Sequence, residues 1–348
     1  MFSFLVSQAV SLKREPTKPL VIWPSKEVEG GGCYRIPSAV TTSKGTVIAL
    51  ADYRPNGCGD LNANNNIKIV AKYSYDNGMT WSDKKFIVAY EKGKSCSDCS
   101  TILNTQTGEI VLFYNFMDYA SYGVYKQHVR FSNDDGETWS DPIDITEQIA
   151  PPNSEKAFKF ITSGKATQAR NGNLYQTLVD ISIGKVYLIE SKNGGRNWTR
   201  IDVPVSPADE TTVAALETGN VLLNARTNQG CRYLFEIDPV NKVLVRSEKR
   251  TDLPDPTCDA SFMRYDYGKS SILFFANCHS TSGRKNMSIK YSIDNGRTFT
   301  GGKTIYPKNG GYSAITVAPN TDIVYHYEYP DGNGLAVQVL PMDWVMDQ

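Results

Sequence analysis

Apolar and polar residues alternate with a period of two through most of the 348-residue chain, and no stretch keeps a helical period for more than a turn or two. Ile67-Lys68-Ile69-Val70-Ala71-Lys72-Tyr73 is one such run, and successive side chains on a strand point to opposite faces of a sheet. Strands are predicted on this pattern at 46–54, 67–73, 109–114, 173–179, 221–226, 272–276, 322–328 and 336–339. Gly- and Asn-bearing turns separate them, and the longest polar loop, 55–66, ends in three asparagines and carries Asp60.

A turn motif recurs after several of these strands. Ser74-Tyr75-Asp76-Asn77-Gly78-Met79-Thr80-Trp81 is followed by Ser132-Asn133-Asp134-Asp135-Gly136-Glu137-Thr138-Trp139 and by a worn copy, Ser191-Lys192-Asn193-Gly194-Gly195-Arg196-Asn197-Trp198. The fourth copy is Ser292-Ile293-Asp294-Asn295-Gly296-Arg297-Thr298-Phe299, and the starts lie 58, 59 and 101 residues apart. The last gap is close to two of the shorter ones, and the turn near Asp238-Pro239-Val240-Asn241 stands where a box has been lost. In each copy the acidic or amide residue can bond the turn backbone a few residues on, the glycine supplies a positive φ, and the closing aromatic can pack between units. A repeat of this length marks an array of one supersecondary unit.

Counting units along the chain gives six, with their leading residues near Tyr34, Asp98, Thr162, Glu210, Ile272 and Tyr312. The expected fold is all-β, a six-bladed β-propeller of four-stranded antiparallel blades, an arrangement that leaves only short, protected sheet edges. A strand near Leu20-Val21-Ile22 is expected to pair with the last unit and close the ring. Residues 1–19 are read as a lead, either a signal-peptide remnant or a strand packing onto the domain, and 20–348 as a single propeller domain.

Lysine plus arginine equals aspartate plus glutamate at 37 each, which gives no case for nucleic acid as a partner. No stretch is long enough to span a membrane as a helix. The seven cysteines are too sparse for a dense disulfide framework, and Cys96-Ser97-Asp98-Cys99 lacks the second pair or nearby histidine that a zinc site needs. Neither a metal nor an organic cofactor is expected. Asn197-Trp198-Thr199 and Asn286-Met287-Ser288 fit the glycosylation pattern, and with the apolar start they lean the localisation towards secreted or cell-surface, intracellular being the alternative.

The four boxes resemble the Asp-boxes of sialidases, and Tyr34-Arg35-Ile36-Pro37 is similar to that family's F-R-I-P signature with Tyr for Phe. The resemblance runs from about residue 20 to the C-terminus. It implies that Arg35, Arg226 and Arg284 bind the substrate carboxylate, that Asp60 is the acid/base, that Tyr312 is the nucleophile and that Glu210 is its partner. Glu328 would steady the first arginine, and Arg54 and Asp98 would contact the far side of the sugar ring. Aromatic and apolar residues at Phe116, Met117, Tyr119 and Tyr122 are candidates for the wall that receives an N-acetyl methyl.

The chemistry is coherent with these residue types. Arginine presents a planar, always-charged fork that matches a carboxylate. A carboxylate nucleophile approaching an anionic substrate would meet a repulsion of roughly 4 kcal/mol for unit charges about 4 Å apart at an effective dielectric near 20. A neutral tyrosine avoids that, but its ordinary pKa near 10 means that it needs a base, here Glu210. The implied activity is an exo-α-sialidase, a glycoside hydrolase removing terminal sialic acid from sialylated glycans with net retention. Two alternatives remain: a trans-sialidase, in which an acceptor sugar replaces water, and a non-catalytic sialic-acid-binding propeller that would need the arginines without Tyr312, Glu210 and Asp60.

Overall fold

The computed structural model describes residues 14–121, 125–152, 157–267 and 270–347. The described strands form six separate sheets arranged as the six blades of a propeller. Blade 1 holds Cys33–Thr41, Val47–Arg54, Lys68–Ser74 and Lys85–Val88, in that order from the axis outwards. Blades 4 and 5 repeat this antiparallel meander with Thr211–Ala215 and Ser261–Tyr267 as their inner strands. Blade 6 runs Ser313–Val317, Ile323–Tyr329, Gly334–Leu340 and then Leu20–Pro24, so its outermost strand comes from the other end of the chain. That strand pairs antiparallel with Gly334–Leu340, Leu20 opposite Val337, as expected from the sequence. Thr17 extends the seam, with hydrogen bonds to Val339 and Gln338.

The sequence expectation of four strands per blade needs one correction. Blades 2 and 3 are five-stranded, because the link between them does not turn directly from one blade to the next. Its Lys159–Ile161 and Thr167–Gln168 both pair with Leu174–Asp180 of blade 3, and between them Gly164–Lys165 lies parallel to the inner strand of blade 2. Two- and three-residue strands carry too little alternation to be seen as a period. The apolar part of the lead, up to residue 13, lies outside the described residues.

Every boundary between blades is filled by its own apolar cluster, and the boxes supply much of it. Asp76 accepts from the Ser74 hydroxyl at 2.9 Å, from Thr80 N at 2.8 Å and from the Thr80 hydroxyl at 2.6 Å. Trp81 then donates from Nε1 to the Gly78 carbonyl at 3.0 Å and lays its ring on the cluster shared by blades 6 and 1. Trp139 and Trp198 make the same bond, to the Gly136 carbonyl at 3.1 Å and the Gly195 carbonyl at 2.8 Å. Together with Phe299, which packs by its ring alone, they cover three further boundaries, each against the preceding blade. Gly78 is required twice over. Its φ is +92°, and a Cβ there would sit 3.0 Å from Val324 of blade 6. Blade 4 lacks a box, and the boundary between blades 3 and 4 is closed without a tryptophan. At the last boundary the short helix Met342–Met346 takes over, burying Met342 and Val345 between blades 5 and 6.

Candidate active site

The residues singled out from the sequence are carried at one end of the ring. Arg35 and Asp98 lie on the inner strands of blades 1 and 2, Glu210 and Tyr312 immediately precede those of blades 4 and 6, and Arg226 and Arg284 flank strands of blades 4 and 5. Two bulges aim the first pair. Register breaks between Arg35 and Ser38, where Ile36 takes φ +55°, and again between Ser97 and Ser100, where Asp98 takes φ +58°. A left-handed β-branched residue costs of order 1–3 kcal/mol and persists only where its surroundings over-determine it.

At Ile36 those surroundings are one carboxylate. Glu328 Oε1 accepts from Arg35 Nε at 3.0 Å and from Ile36 N at 3.4 Å, while Oε2 accepts from Tyr312 N at 3.2 Å. A single side chain on blade 6 therefore fixes both the first arginine and the backbone of the tyrosine. Gly311 makes the approach possible, since a Cβ there would lie 2.1 Å from that Oε2. Tyr34 turns its ring into the blade, where Trp23 lies 5.1 Å away and Lys84 donates to its hydroxyl at 3.1 Å.

Tyr312 is the centre of the group. Its hydroxyl donates to Glu210, 2.6 and 2.7 Å from the two carboxylate oxygens, and accepts from Arg226 Nη1 at 2.9 Å. Arg226 Nη1 also pairs with Glu210 Oε2. The guanidinium carbons of Arg35 and Arg284 lie 5.5 and 5.2 Å from the Tyr312 ring centroid, and Arg284 is held by a bond from Nη2 to the Thr257 carbonyl at 3.2 Å. Burial raises the Glu210 carboxyl above its ordinary pKa, with Arg226 opposing. Burial and then the Glu210 charge push the Tyr312 phenol well up, again against Arg226.

Asp60 sits across from this pair. Its Oδ1 is 2.6 Å from Arg54 Nη1 and 3.7 Å from Arg35 Nη1. Burial would raise its pKa, but the hydrogen bond and charge of Arg54, followed by Arg35 and Arg284, outweigh that and lower it. The loop that carries Asp60 is tied to the inner strand of blade 1 by the Cys33–Cys58 disulfide, two residues from Arg35 at one end and two from Asp60 at the other.

Arg54 lies directly beneath Asp60. Its side chain has no solvent exposure. Nε and Nη2 donate to Asp52 Oδ2 at 3.2 and 2.9 Å, and Nη1 reaches the Cys58 and Gly59 carbonyls as well as Asp60. Asp98 is raised to about 6 by burial and the nearby Asp52, and Asn115 donates to it at 3.2 Å. Asp52 and Ser97 escaped the sequence reading. The signal for Asp52 was present: a carboxylate inside the apolar strand Val47–Arg54, two residues before an arginine and so on the same face. Asp259, buried and bonded by the Ser163 hydroxyl at 2.8 Å, lay in a loop with no such signal.

The apolar candidates divide. Phe116 stacks on His128 at 4.8 Å, whereas Met117 and Tyr119 belong to a cluster with Leu61 and Tyr125 under the Asp60 loop. Tyr122 lies outside the described residues. Cys96 and Cys99 are buried in the apolar cluster between blades 1 and 2.

Against known families, residues 49–325 match the model of the BNR repeat-like domain, which spans all four boxes. The chain belongs to the BNR repeat-like family. Relatives of this BNR repeat-like chain include a sialidase of Bacteroides fragilis, 28% identical over 86% of the chain and 60% of that protein. Another is a sialidase of Micromonospora viridifaciens, 28% identical over 91% of the chain and 53% of that protein. The chain thus spans between half and two thirds of these curated relatives. A solved Hadza microbial sialidase superposes with a TM-score of 0.82 at 24% identity, covering 94% of this chain and 69% of that one. A leech intramolecular trans-sialidase superposes with a TM-score of 0.80 at 16% identity, covering 94% and 71%. At these identities the likeness to the solved structures establishes the six-bladed fold.

Proposed function

We propose that the protein is an exo-α-sialidase that hydrolyses terminal, α-ketosidically linked sialic acid from sialylated glycans with net retention. The observation that carries this reading is the phenol of Tyr312 hydrogen-bonded to Glu210 and Arg226 between two further arginines, opposite Asp60. Arg35, Arg226 and Arg284 bind and orient the substrate carboxylate, and Glu328 offsets part of their mutual repulsion while holding Arg35 in place.

Tyr312 attacks the anomeric carbon as Glu210 takes its proton. The raised pKa of Glu210 makes it a better base than a solvated carboxylate, and Arg226 steadies the phenol oxygen as charge develops on it. Asp60 gives a proton to the departing glycosidic oxygen, then takes one from the water that releases the sugar. In the free protein the arginines favour ionised Asp60. A bound substrate carboxylate would neutralise part of that cationic field and exclude water, both of which raise the Asp60 pKa towards the acid form it needs. Asp98 and the apolar side chains of Leu61, Met117 and Tyr125 border the same loop and would receive the ring substituents.

The test is to follow products by NMR from α2,3- and α2,6-sialyllactose, with and without added lactose. Release of α-sialic acid as the first anomer, unaffected by lactose, is expected. Transfer to lactose would favour the trans-sialidase reading. Binding of sialyllactose with no release would favour a lectin.

A further inference from the structure

The inner strands that begin at the catalytic mouth end at a second opening. Cys33–Thr41 carries Arg35 near one end and Thr41 at the other, and Ser313–Val317 follows Tyr312 and ends at Val317. Six residues of strand put the two mouths about 20 Å apart. The second mouth holds a cavity of about 450 Å³, lined by residues of blades 1, 2, 3, 5 and 6.

Its charges do not balance. Lys165, Arg170 and Arg264 line it, against a single lining carboxylate among the described residues, Asp266. Arg264 occupies that carboxylate with Nε at 2.9 Å and Nη2 at 2.5 Å, and Arg170 pairs with Glu217 at 3.1 Å. Lys165 is left over. It is carried into the channel by the short strand Gly164–Lys165 that lies parallel to blade 2, and its ammonium donates to one neutral acceptor, the Ala39 carbonyl, at 3.3 Å. Among the described residues no carboxylate lies within ion-pair distance of it. Burial alone lowers its pKa to about 8, with no anion opposing the shift. A cation partly removed from water is favoured by a counter-charge nearby. Beside it Thr41 and Thr316 share one hydroxyl–hydroxyl bond of 3.0 Å, which leaves a second hydroxyl proton to donate.

We propose that this second mouth is a binding site for a small oxyanion of the carboxylate or phosphate class, ion-paired to Lys165 and distinct from the arginine cluster around Tyr312. The cavity admits a ligand up to the size of one acidic monosaccharide. Arg264 and Arg170 form its cationic rim, and the Thr41–Thr316 pair supplies a neutral donor. The site needs no contribution from the catalytic mouth, so it stands or falls separately from the proposed activity.

Titration of the whole protein with inorganic phosphate and with citrate, followed by calorimetry and by melting temperature, tests this. The wild type is expected to bind an anion that Lys165→Met and Lys165→Gln do not, an affinity loss of at least tenfold, while sialyllactose turnover is unchanged in both variants. With no anion present, Lys165→Met should melt at or above the wild-type temperature, because a half-buried unpaired cation has been removed. Near-ultraviolet circular dichroism verifies that both variants are folded. Equal anion binding by the wild type and both folded variants overturns the proposal. So does the absence of any binding beyond what Arg284→Met abolishes.

Discussion

The Nη1 of Arg54, a side chain with no exposed surface, lies 2.6 Å from Oδ1 of Asp60, a side chain that is 68% exposed. The first is locked from beneath by Asp52 and the second projects into the mouth. As the proposed general acid, Asp60 must be protonated, so kcat/KM falls as pH rises through its pKa, and Arg54 holds that pKa down. Arg54→Gln should therefore move the falling limb of the kcat/KM profile to higher pH, with a lower maximum because the loop loses its anchor. An unmoved limb would show that Arg54 does not control Asp60.

Removing the nucleophile or its base should leave binding largely intact. Tyr312→Phe and Glu210→Gln are each expected to lower kcat by roughly 10²–10⁴-fold or more, the usual worth of a positioned proton-transfer group. Binding of a sialic-acid analogue, measured by calorimetry, should persist in both. Asp60→Ala is expected to behave likewise on a substrate with a poor leaving group and to recover on one whose leaving group needs no proton.

How much of this was legible in the sequence depended on whether a residue announced itself locally. The boxes did, because Ser, Asp or Asn, Gly and an aromatic must recur at fixed offsets for the turn to close, and the six-bladed ring followed from their spacing. Arg35 and Tyr312 could be placed at the ends of inner strands. Glu328 could be paired with Arg35 only through the resemblance, since 293 positions separate them. Its second grip, on the Tyr312 amide, was invisible, because it uses a backbone group. The two added strands of blades 2 and 3 were missed for lack of length, and with them the position of Lys165 in the channel. For Arg54, only the fold shows its grip on Asp52 from beneath and on Asp60 at the mouth.

The Cys33–Cys58 bridge spans 25 positions of sequence, and closing a loop of that size stabilises a fold by about 3 kcal/mol in the chain-entropy model. It also restrains both Arg35 and Asp60. The double variant Cys33→Ser/Cys58→Ser should melt at a lower temperature and lose kcat more than substrate affinity. Exposing the wild type to a strong reductant should reproduce the kcat loss, read in a steady-state assay.

Within a box, Asp76→Ala removes three accepted hydrogen bonds at an exposed turn and should cost about 1–3 kcal/mol in chemical denaturation. Asp76→Asn should cost less, because Asn193 in the third box keeps the backbone bond to residue 197 at 2.9 Å through its amide oxygen. Gly78→Ala should be the most damaging of the three, for the φ and contact reasons given above.

His326 has no exposed surface, and its Nδ1 lies 3.2 Å from the Ser38 carbonyl, across the seam between blades 6 and 1. Burial lowers its pKa from 6.5 to about 4. The unfolded chain then binds the proton more readily than the folded one between these values, so this contribution is intact above pH 6.5 and is lost as pH falls towards 4. Its size is on the order of 3 kcal/mol. Denaturation midpoints measured across that window should fall steeply in the wild type and less so in His326→Gln.

The sheet whose outer strand is Leu20–Pro24 has a consequence for biosynthesis. Residues 20–24 leave the ribosome some three hundred residues ahead of their hydrogen-bonding partners at 334–340. Throughout that interval the segment has nothing to zip against, so five sheets must assemble as an open arc. Closure of the ring is therefore withheld until residues 334–340 have been made, and a nascent product truncated before residue 334 would present an unfilled sheet to quality control.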